Sequence, residues 1–599
     1  MNTELNLIPR PVSLSVFEQQ TDLAAFDTLT CGGLNQAAIG QLLSQFPSLS
    51  VKQAIGNAPQ AYFLTLTSQA DAPTPMLPED RPDAYVLQIS QNGVRIDAVS
   101  EAALFYGLQT LVQLPNACPC LVISDYAAIK LRMAHLDLKG YLPHFEILKD
   151  ELRRLARYKI NAVLLEIENK YAFDCAPDIA VPGAYTYEQL RELSKFAKAL
   201  HITVVPKLQS IAHVDYILKH ARYAHLREKG KNGYSFQFCP MNPEVHTLWK
   251  AMCTELMECF AEHGPYFHIG GDEAGNLGEC PECQKLGAAQ VYLHRVSECI
   301  DFVCDKGWTP IIWDDIVRNG RRRFTSEEEA HIREALGSRA VFMYWAYGYR
   351  GNGNAFPYID TYQTAGLRVW GASGYSGCCN WSGSLPHLEW RSLNCDTWAR
   401  AAVEKDLECV CTTGWTRIGS ADCPAEPLES SWFTVIYAAA GLWNPETDEL
   451  DTFVKKCALQ LYGKEPDDAL RSAIFNIAKA PYDYRSLLSL TEEDYDEMTF
   501  LRFVAGAECI LGTLAELQAF LGYYQGKLGD RLEDYRLRHL TRMVNRHYDG
   551  LLQFRDRLKP MLSRYYQDVT VEEFLITRFG YPLKICTDAK ALIENTKPF

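Results

Sequence analysis

The chain has 599 residues, of which 47% are hydrophobic and 22% are charged. These values are ordinary for a globular protein, and they exclude a disordered or fibrous chain. The 59 basic and 74 acidic side chains give a formal net charge of −15, which argues against nucleic acid or a membrane surface as the main partner.

The N-terminal residues show no basic segment followed by an apolar one, so we expect no signal peptide and no membrane span. The 20 cysteines are scattered along the chain, which indicates reduced thiols and a cytoplasmic location. Cys280 and Cys283 form a Cys-x-x-Cys motif, but a second pair at zinc-finger spacing is missing. We therefore favour ordinary thiols over a metal or redox site, and we expect neither a metal nor a cofactor.

Residues 1–123 predict a small α/β accessory domain. The runs Ala84–Ser90 and Val94–Val99 are rich in β-forming residues, and Asn92-Gly93 between them is a hairpin signature. Ser100 can cap a helix that begins at the next residue and carries apolar side chains at helical spacing.

Residues 124–445 alternate apolar strands with amphipathic helices, a pattern typical of a (β/α)8 TIM barrel. We predict a C-terminal helical domain over residues 446–599, whose apolar stripes also suggest a homodimer. The fold class is therefore α/β, a TIM barrel flanked by two smaller domains. The eight predicted strands are Arg132–Leu138, Asn161–Ile167, Thr203–Gln209, Tyr266–Gly271, Pro310–Asp314, Ala340–Trp345, Leu367–Ala372 and Cys409–Trp415.

The active site of such a barrel lies at the C-terminal ends of its strands. Acidic residues gather at these ends, and Trp313, Trp345 and Trp415 close three of the strands. An aromatic, acidic pocket fits sugar chemistry better than phosphate chemistry, since we find no P-loop or dinucleotide motif. The alternative for each tryptophan is plain core packing.

Asp272 and Glu273 are adjacent carboxylates at the end of the fourth strand. Mutual repulsion should raise the pKa of at least one of them, as a general acid requires. Gly270 and Gly271 before them allow a close approach of the backbone to a ligand. The alternative is that Gly-Gly-Asp only turns the chain and that Asp272 caps the next helix.

The motif His268-Ile-Gly-Gly-Asp-Glu273 resembles the signature of glycoside hydrolase family 20, the β-N-acetylhexosaminidases. The segments LRMAHLDLKG, IIWDDIVR and TGWTR resemble its hexosaminidase D branch. The resemblance implies an exo-acting, retaining enzyme that releases terminal β-linked N-acetylgalactosamine or N-acetylglucosamine from a glycan. Hydrolysis would be substrate-assisted through an oxazolinium intermediate, with Asp272 orienting the acetamido group and Glu273 as general acid and base.

The resemblance also implies residues that bind the sugar and a residue that orients Glu273, for which Asp315 is the candidate. Arg417 and Gly377 stand where many members carry acidic residues, so the preference between galactosaminides and glucosaminides stays open, with the branch favouring galactosaminides. An amino-sugar-binding barrel without catalysis is the alternative function. The implied substrate-binding residues are Arg132, His213, Trp313, Trp345, Tyr375 and Trp415.

Overall fold

The computed structural model describes residues 5–595, except 34, 46–49, 54–61, 68–73, 75, 77, 230–235, 320–323, 349–354, 379–384, 418, 420–421, 476–483, 492–494 and 525–533. Within these residues, no helix combines the length and the apolar character needed to cross a membrane.

The N-terminal region folds into a seven-stranded sheet with the order β1-β7-β5-β6-β4-β2-β3. The predicted hairpin is confirmed, because β5 and β6 pair antiparallel on either side of Asn92. The predicted cap is confirmed too, since the Ser100 side chain accepts a hydrogen bond from the Ala103 N–H at the start of α2. The elements are β1 (Ser13–Asp22), β2 (Thr28–Gly32), α1 (Gln36–Gln45), β3 (Ser50–Gln53), β4 (Tyr62–Thr67), β5 (Tyr85–Ser90), β6 (Gly93–Ala98), α2 (Glu101–Leu111) and β7 (Ala117–Asp125).

Eight parallel strands then close into a barrel, which confirms the predicted TIM-barrel fold. The fourth strand, β11, is shorter than predicted because Gly270 and Gly271 adopt positive φ angles of 67° and 87° and leave the extended conformation. The barrel strands are β8 (Leu131–Asp137), β9 (Ala162–Glu166), β10 (Thr203–Lys207), β11 (Tyr266–His268), β12 (Thr309–Trp313), β13 (Val341–Trp345), β14 (Arg368–Ser376) and β15 (Cys409–Gly414).

The barrel interior is a packed apolar core, separate from the larger core between strands and helices. Met133, Leu164 and Ile311 fill it, with Trp313 and Met343 toward the C-terminal end. Helices between and after the strands surround the barrel. These helices are α3 (Phe145–Arg157), α4 (Tyr187–Ala199), α5 (Asp215–Leu218), α6 (Pro243–Cys259), α7 (Pro281–Leu286), α8 (Ala288–Asp305), α9 (Asp315–Asn319), α10 (Ser326–Leu336), α11 (Pro357–Thr364), α12 (Leu388–Glu404) and α13 (Trp432–Trp443).

The C-terminal region is helical, as predicted, and it packs directly on the barrel. The His144 N–H donates to the Tyr565 carbonyl at 2.8 Å, and the Leu142 N–H donates to the Thr570 hydroxyl at 2.9 Å. Both contacts anchor the segment that follows the first barrel strand. The helices are α14 (Leu450–Tyr462), α15 (Asp468–Phe475), α16 (Tyr484–Leu487), α17 (Glu497–Glu508), α18 (Ile510–Thr513), α19 (Ala515–Tyr524), α20 (Asp534–Leu562) and α21 (Asp568–Glu594).

Candidate active site

A cavity of ≈ 280 Å³ opens at the C-terminal end of the barrel. Six of the eight predicted site residues line it, and two do not. The volume lies near the lower end for small-molecule sites, so the cavity suits a single sugar ring. The lining residues are Lys139, His213, Asp272, Glu273, Trp313, Trp345, Tyr347, Cys378, Trp415 and Arg417.

The backbone around Asp272 and Glu273 turns both side chains toward this cavity. Gly270 has a φ of 67°, and a Cβ there would collide with the Gln209 side chain. Glu273 itself has a φ of 50°, a backbone conformation that is uncommon for residues other than glycine. The Asp272 side chain is 8% exposed, whereas the Glu273 side chain is 33% exposed, so the two neighbouring carboxylates meet different surroundings.

His213 joins the two carboxylates. Its Nε2 lies 3.4 Å from Asp272 Oδ2 and 3.4 Å from Glu273 Oε2. Burial lowers the pKa of His213, but the charge of Asp272 and the hydrogen bonds to both carboxylates raise it to about 10 overall. Burial likewise raises the pKa of Asp272, but His213 outweighs this effect and holds the pKa well below its usual range. Asp272 and His213 are therefore both charged at neutral pH.

The sequence predicts a raised pKa for Asp272 or Glu273, but the pKa of Asp272 is lowered, and a raised pKa occurs instead at Asp315, the first residue of α9. Burial, followed by the negative charge of Asp272, raises the pKa of Asp315 to about 7. Its Oδ2 accepts a hydrogen bond from the Glu273 backbone N–H at 3.1 Å. Asp315 therefore lies where it can fix the backbone of Glu273, as its predicted orienting role requires.

One oxygen of Asp272 is placed for a ligand. Oδ1 is buried and accepts no hydrogen bond from the residues that the structure describes, while Oδ2 faces His213. A buried carboxylate oxygen normally accepts at least one hydrogen bond. An N–H group of a ligand in the cavity would satisfy this requirement.

Aromatic rings form the floor and one wall of the cavity. Trp313 is fully buried and packs against Trp415, with 5.7 Å between ring centroids. Trp345 and Tyr347 stack at 5.4 Å with an interplanar angle of 25°. The Trp415 Nε1–H donates to the Tyr347 hydroxyl at 2.9 Å, so the floor and the wall are connected. Trp313 therefore belongs both to the barrel core and to the cavity lining.

Two cations complete the cavity. Lys139 Nζ lies 3.3 Å from both Asp137 Oδ2 and Glu166 Oε2 and 4.6 Å from the Trp415 ring centroid. Burial lowers the pKa of Lys139, but these carboxylates raise it overall, so it stays charged. Arg417 donates to Glu573 of α21 at 2.7 Å and to the Lys139 carbonyl.

Arg132 lies far from this cavity. It is the second residue of β8 and therefore belongs to the opposite end of the barrel. Its buried guanidinium donates to the carbonyls of Lys159 and Ile129, each at 2.8 Å, and to Asp83 at 2.9 Å. This position contradicts the prediction that Arg132 grips sugar hydroxyls.

Tyr375 is also absent from the cavity lining. It is buried on β14, and its hydroxyl donates to the His135 carbonyl at 2.9 Å, so its predicted contact with the acetamido carbonyl is contradicted. Tyr347 occupies the cavity instead. Its signal in the sequence is its spacing, because it follows Trp345 at the end of β13 by two residues. Lys139, two residues after Asp137, was missed as a site residue although its strand was identified.

Gly377 shows why an acidic residue is missing from its position. It has a φ of 64°, and a Cβ there would collide with the backbone carbonyl of Trp415. The close approach of these two segments therefore requires glycine. The structure gives no comparable steric reason for Arg417.

Two family models match the chain. The one described as glycosyl hydrolase family 20, catalytic domain, matches residues 156–362, which include His213, Asp272 and Glu273. The one described as glycosyl hydrolase family 20, domain 2, matches residues 4–126, which form the N-terminal sheet. Together they cover more than half of the chain.

Curated relatives and solved structures agree with these matches. Hexosaminidase D of Homo sapiens is 25% identical over 324 positions, covering 49% of this chain and 62% of that protein. A beta-hexosaminidase of Porphyromonas gingivalis is 25% identical over 367 positions, covering 53% and 46%. The chain thus spans less than two thirds of these two relatives. The structure of Flavobacterium johnsoniae chitobiase has a TM-score of 0.60 at 17% identity over 99% of this chain and 94% of that one, a likeness of fold.

Proposed function

Because the chain belongs to glycosyl hydrolase family 20, we propose that it is an exo-acting, retaining β-N-acetylhexosaminidase. Its substrate is a glycan or glycoconjugate that ends in β-linked N-acetylgalactosamine or N-acetylglucosamine. The observation that carries this proposal is the Asp272–Glu273 pair, bridged by His213 and facing a cavity sized for one sugar. A cavity of this size favours removal of a terminal residue over cleavage within a chain.

The acetamido group of the substrate acts as the nucleophile. Its carbonyl oxygen attacks the anomeric carbon while the bond to the leaving oxygen breaks, and Glu273 gives that oxygen a proton. The resulting oxazolinium ion carries positive charge near the acetamido nitrogen. Water then attacks the anomeric carbon and gives a proton to Glu273, the ring opens, and the sugar leaves with retained configuration.

Asp272 is suited to support the acetamido group in this sequence. Its pKa is held well below the usual range, so it carries a negative charge throughout. Oδ1, which accepts no hydrogen bond from the described residues, can accept the acetamido N–H and offset the positive charge that develops there. Fixed charges in a buried site stabilise such a transition state more than water does.

Tyr347 takes the role that the sequence assigned to Tyr375. Its hydroxyl lies in the cavity wall and accepts hydrogen bonds from Trp415 Nε1 and from the Thr413 hydroxyl at 3.1 Å. These two contacts fix the position of the Tyr347 oxygen at the cavity wall. We propose that the Tyr347 hydroxyl binds the acetamido carbonyl, while Trp345 and Trp415 stack on the apolar face of the sugar.

The experiment that tests the function is a comparison of three proteins on nitrophenyl β-N-acetylgalactosaminide and glucosaminide. The wild type should hydrolyse at least one of them with retained configuration. Glu273→Gln should lose most activity on a substrate with a poor leaving group, whereas the control Glu327→Gln, at an exposed residue of α10, should keep it. Undiminished turnover by Glu273→Gln would contradict the proposed acid.

A non-catalytic amino-sugar-binding barrel is the second candidate, favoured by Arg417 and Gly377 where many members have acids. Saturable binding of a thiazoline inhibitor without hydrolysis of any substrate would support it.

The ratio of activities on the two nitrophenyl substrates also decides the sugar preference. A loss of selectivity in Arg417→Ala would identify Arg417 as the residue that reads the hydroxyls on carbons 4 and 6.

Three further predictions stay proposals. A cytoplasmic location is supported by the scattered cysteines, and fractionation of the source cells would test it. A homodimer is supported by the apolar stripes of the C-terminal helices, and light scattering would test it against the chain mass of 67.8 kDa. Domains at 1–123, 124–445 and 446–599 can be tested by limited proteolysis.

A further inference from the structure

Four side chains outside the cavity converge on one point: Glu228, Cys239, Cys280 and Cys283. Their ligand atoms all lie within 4.8 Å of one another. Cys239 Sγ is 3.7 Å from Cys280 Sγ and 3.7 Å from Cys283 Sγ, and Cys283 Sγ is 3.4 Å from Glu228 Oε2. The sulfur atoms are too far apart for a disulfide, in which the bond is about 2.05 Å.

These distances agree with a tetrahedral zinc site. Zinc binds thiolate sulfur at about 2.3 Å and carboxylate oxygen at about 2.1 Å. A tetrahedron with these bonds places its sulfur atoms about 3.8 Å apart, and sulfur and oxygen about 3.6 Å apart. The observed 3.7 Å and 3.4 Å are close to these edges.

The surroundings hold the four donors in place. Glu228 and Cys283 are fully buried, and Cys280 is 8% exposed. Glu228 Oε1 accepts the backbone N–H groups of Glu279 at 2.9 Å and Cys280 at 2.6 Å, which directs Oε2 toward Cys283. A carboxylate fixed by such hydrogen bonds is typical of a metal ligand with an ordered environment.

We propose that Glu228, Cys239, Cys280 and Cys283 bind a structural Zn²⁺ ion. Three soft sulfur donors favour zinc over magnesium or calcium, which prefer oxygen. Four protein ligands leave no open position for water or substrate, so the ion is structural and not catalytic. The cysteines bind as thiolates, and the protons that they lose pass to solvent.

The ion would connect two loops of the active site. Glu228 and Cys239 belong to the segment between β10 and α6, which also carries His213. Cys280 and Cys283 belong to the segment after β11, which carries Asp272 and Glu273. The zinc therefore positions these loops, and with them the 3.4 Å contacts between the histidine and both carboxylates.

A direct hydrogen bond supports the same connection between the loops. The Asn276 N–H, three residues after Glu273, donates to Gln237 Oε1 at 2.9 Å. Gln237 lies two residues before Cys239 in the partner segment. This contact lies between the four metal-binding side chains and the pair Asp272–Glu273. A metal ion that joins the two segments would therefore also restrict the positions of this pair.

The test is the metal content of the full chain, purified without chelators and measured by mass spectrometry of the elements. We expect about one zinc per chain, as for a single structural site. Cys239→Ser and Cys283→Ser should each lower this content to roughly a tenth, since a thiolate ligand is lost. The control Cys304→Ser, at an exposed cysteine on α8, should keep the full content.

A second measurement uses the wild type alone, in case the serine variants do not fold. Replacing zinc by Co²⁺ should produce thiolate-to-cobalt charge-transfer absorption in the near ultraviolet. A chain that contains no zinc and gives no such absorption with added Co²⁺ would overturn the proposal. So would a disulfide between any two of Cys239, Cys280 and Cys283. Neither measurement depends on hydrolytic activity, so its outcome is independent of the proposed function.

Discussion

Replacement of His213 by asparagine tests the arrangement of the catalytic pair most directly. The imidazolium lies 3.4 Å from a carboxylate oxygen of both Asp272 and Glu273. At an effective dielectric constant of about 20, the charge pair between His213 and Asp272 attracts by about 5 kcal/mol before the cost of burial is subtracted. Hydrogen bonds to charged groups contribute about 1.5–3 kcal/mol net. We take ~2 kcal/mol, which corresponds to about 30-fold in rate.

His213→Asn should therefore lower kcat about 30-fold, with a smaller change in KM. Without the imidazolium, burial dominates at Asp272 and raises its pKa, so the acid limb of the kcat/KM profile should move to higher pH. The control is His225→Asn, because His225 lies in the same loop and its side chain is 53% exposed. An unchanged kcat together with an unchanged acid limb would refute the bridging role of His213.

The contribution of His213 to the stability of the fold depends on pH. The pKa of His213 is raised in the fold from 6.5 to about 10, so its protonation stabilises the folded state. This contribution is complete below pH 6.5 and is lost as the pH rises through about 10. The difference in Tm between wild type and His213→Asn should therefore narrow from pH 7 to pH 10. A difference that stays constant or widens would contradict the ion pair.

Three further tests separate catalytic from structural roles. Tyr347→Phe should lower kcat/KM by roughly tenfold through the loss of one hydrogen bond. Tyr375→Phe should instead lower Tm and leave kcat/KM near the wild-type value. The reverse pattern would show that Tyr375, and not Tyr347, contacts the substrate. Gly270→Ala should lower the free energy of unfolding, measured by denaturant titration, by about 1–3 kcal/mol, because of its positive φ and the collision with Gln209. The control Gly40→Ala should not lower it, since a Cβ at residue 40 meets nothing within 4 Å. Arg132→Lys should lower Tm by breaking buried hydrogen bonds while the folded enzyme keeps its KM, and a raised KM at unchanged Tm would contradict the corrected position.

The barrel could be predicted from the sequence because its strands are apolar over most of their length. Strands of this kind are buried on both faces, and all eight were located, within a few residues at their ends. β14 was the least well predicted, because it continues through Gly371, Gly374 and Tyr375 to Ser376, where the residue types suggest a loop. Extension there depends on pairing with β13 and β15, which the local sequence does not report.

Site residues that lie in one short motif could be predicted from the sequence. Residues that come together from distant segments could not. Asp272 and Glu273 follow a strand directly, so their place at the barrel mouth follows from the fold. Cys239, by contrast, lies 41 residues before Cys280, and their proximity depends on how two loops pack. Arg132 was misplaced because its position at the start of a strand was taken from a resemblance, although the start of a barrel strand faces away from the substrate.

The ion pair between Arg417 and Glu573 has a consequence for dividing this chain into fragments. A cavity side chain is held by a carboxylate that lies more than 150 residues later in the chain, so a fragment ending at residue 445 would leave the Arg417 guanidinium without this carboxylate. If Arg417 reads the sugar hydroxyls as proposed, exchanging the helical tail between relatives should alter sugar selectivity without any change in the barrel.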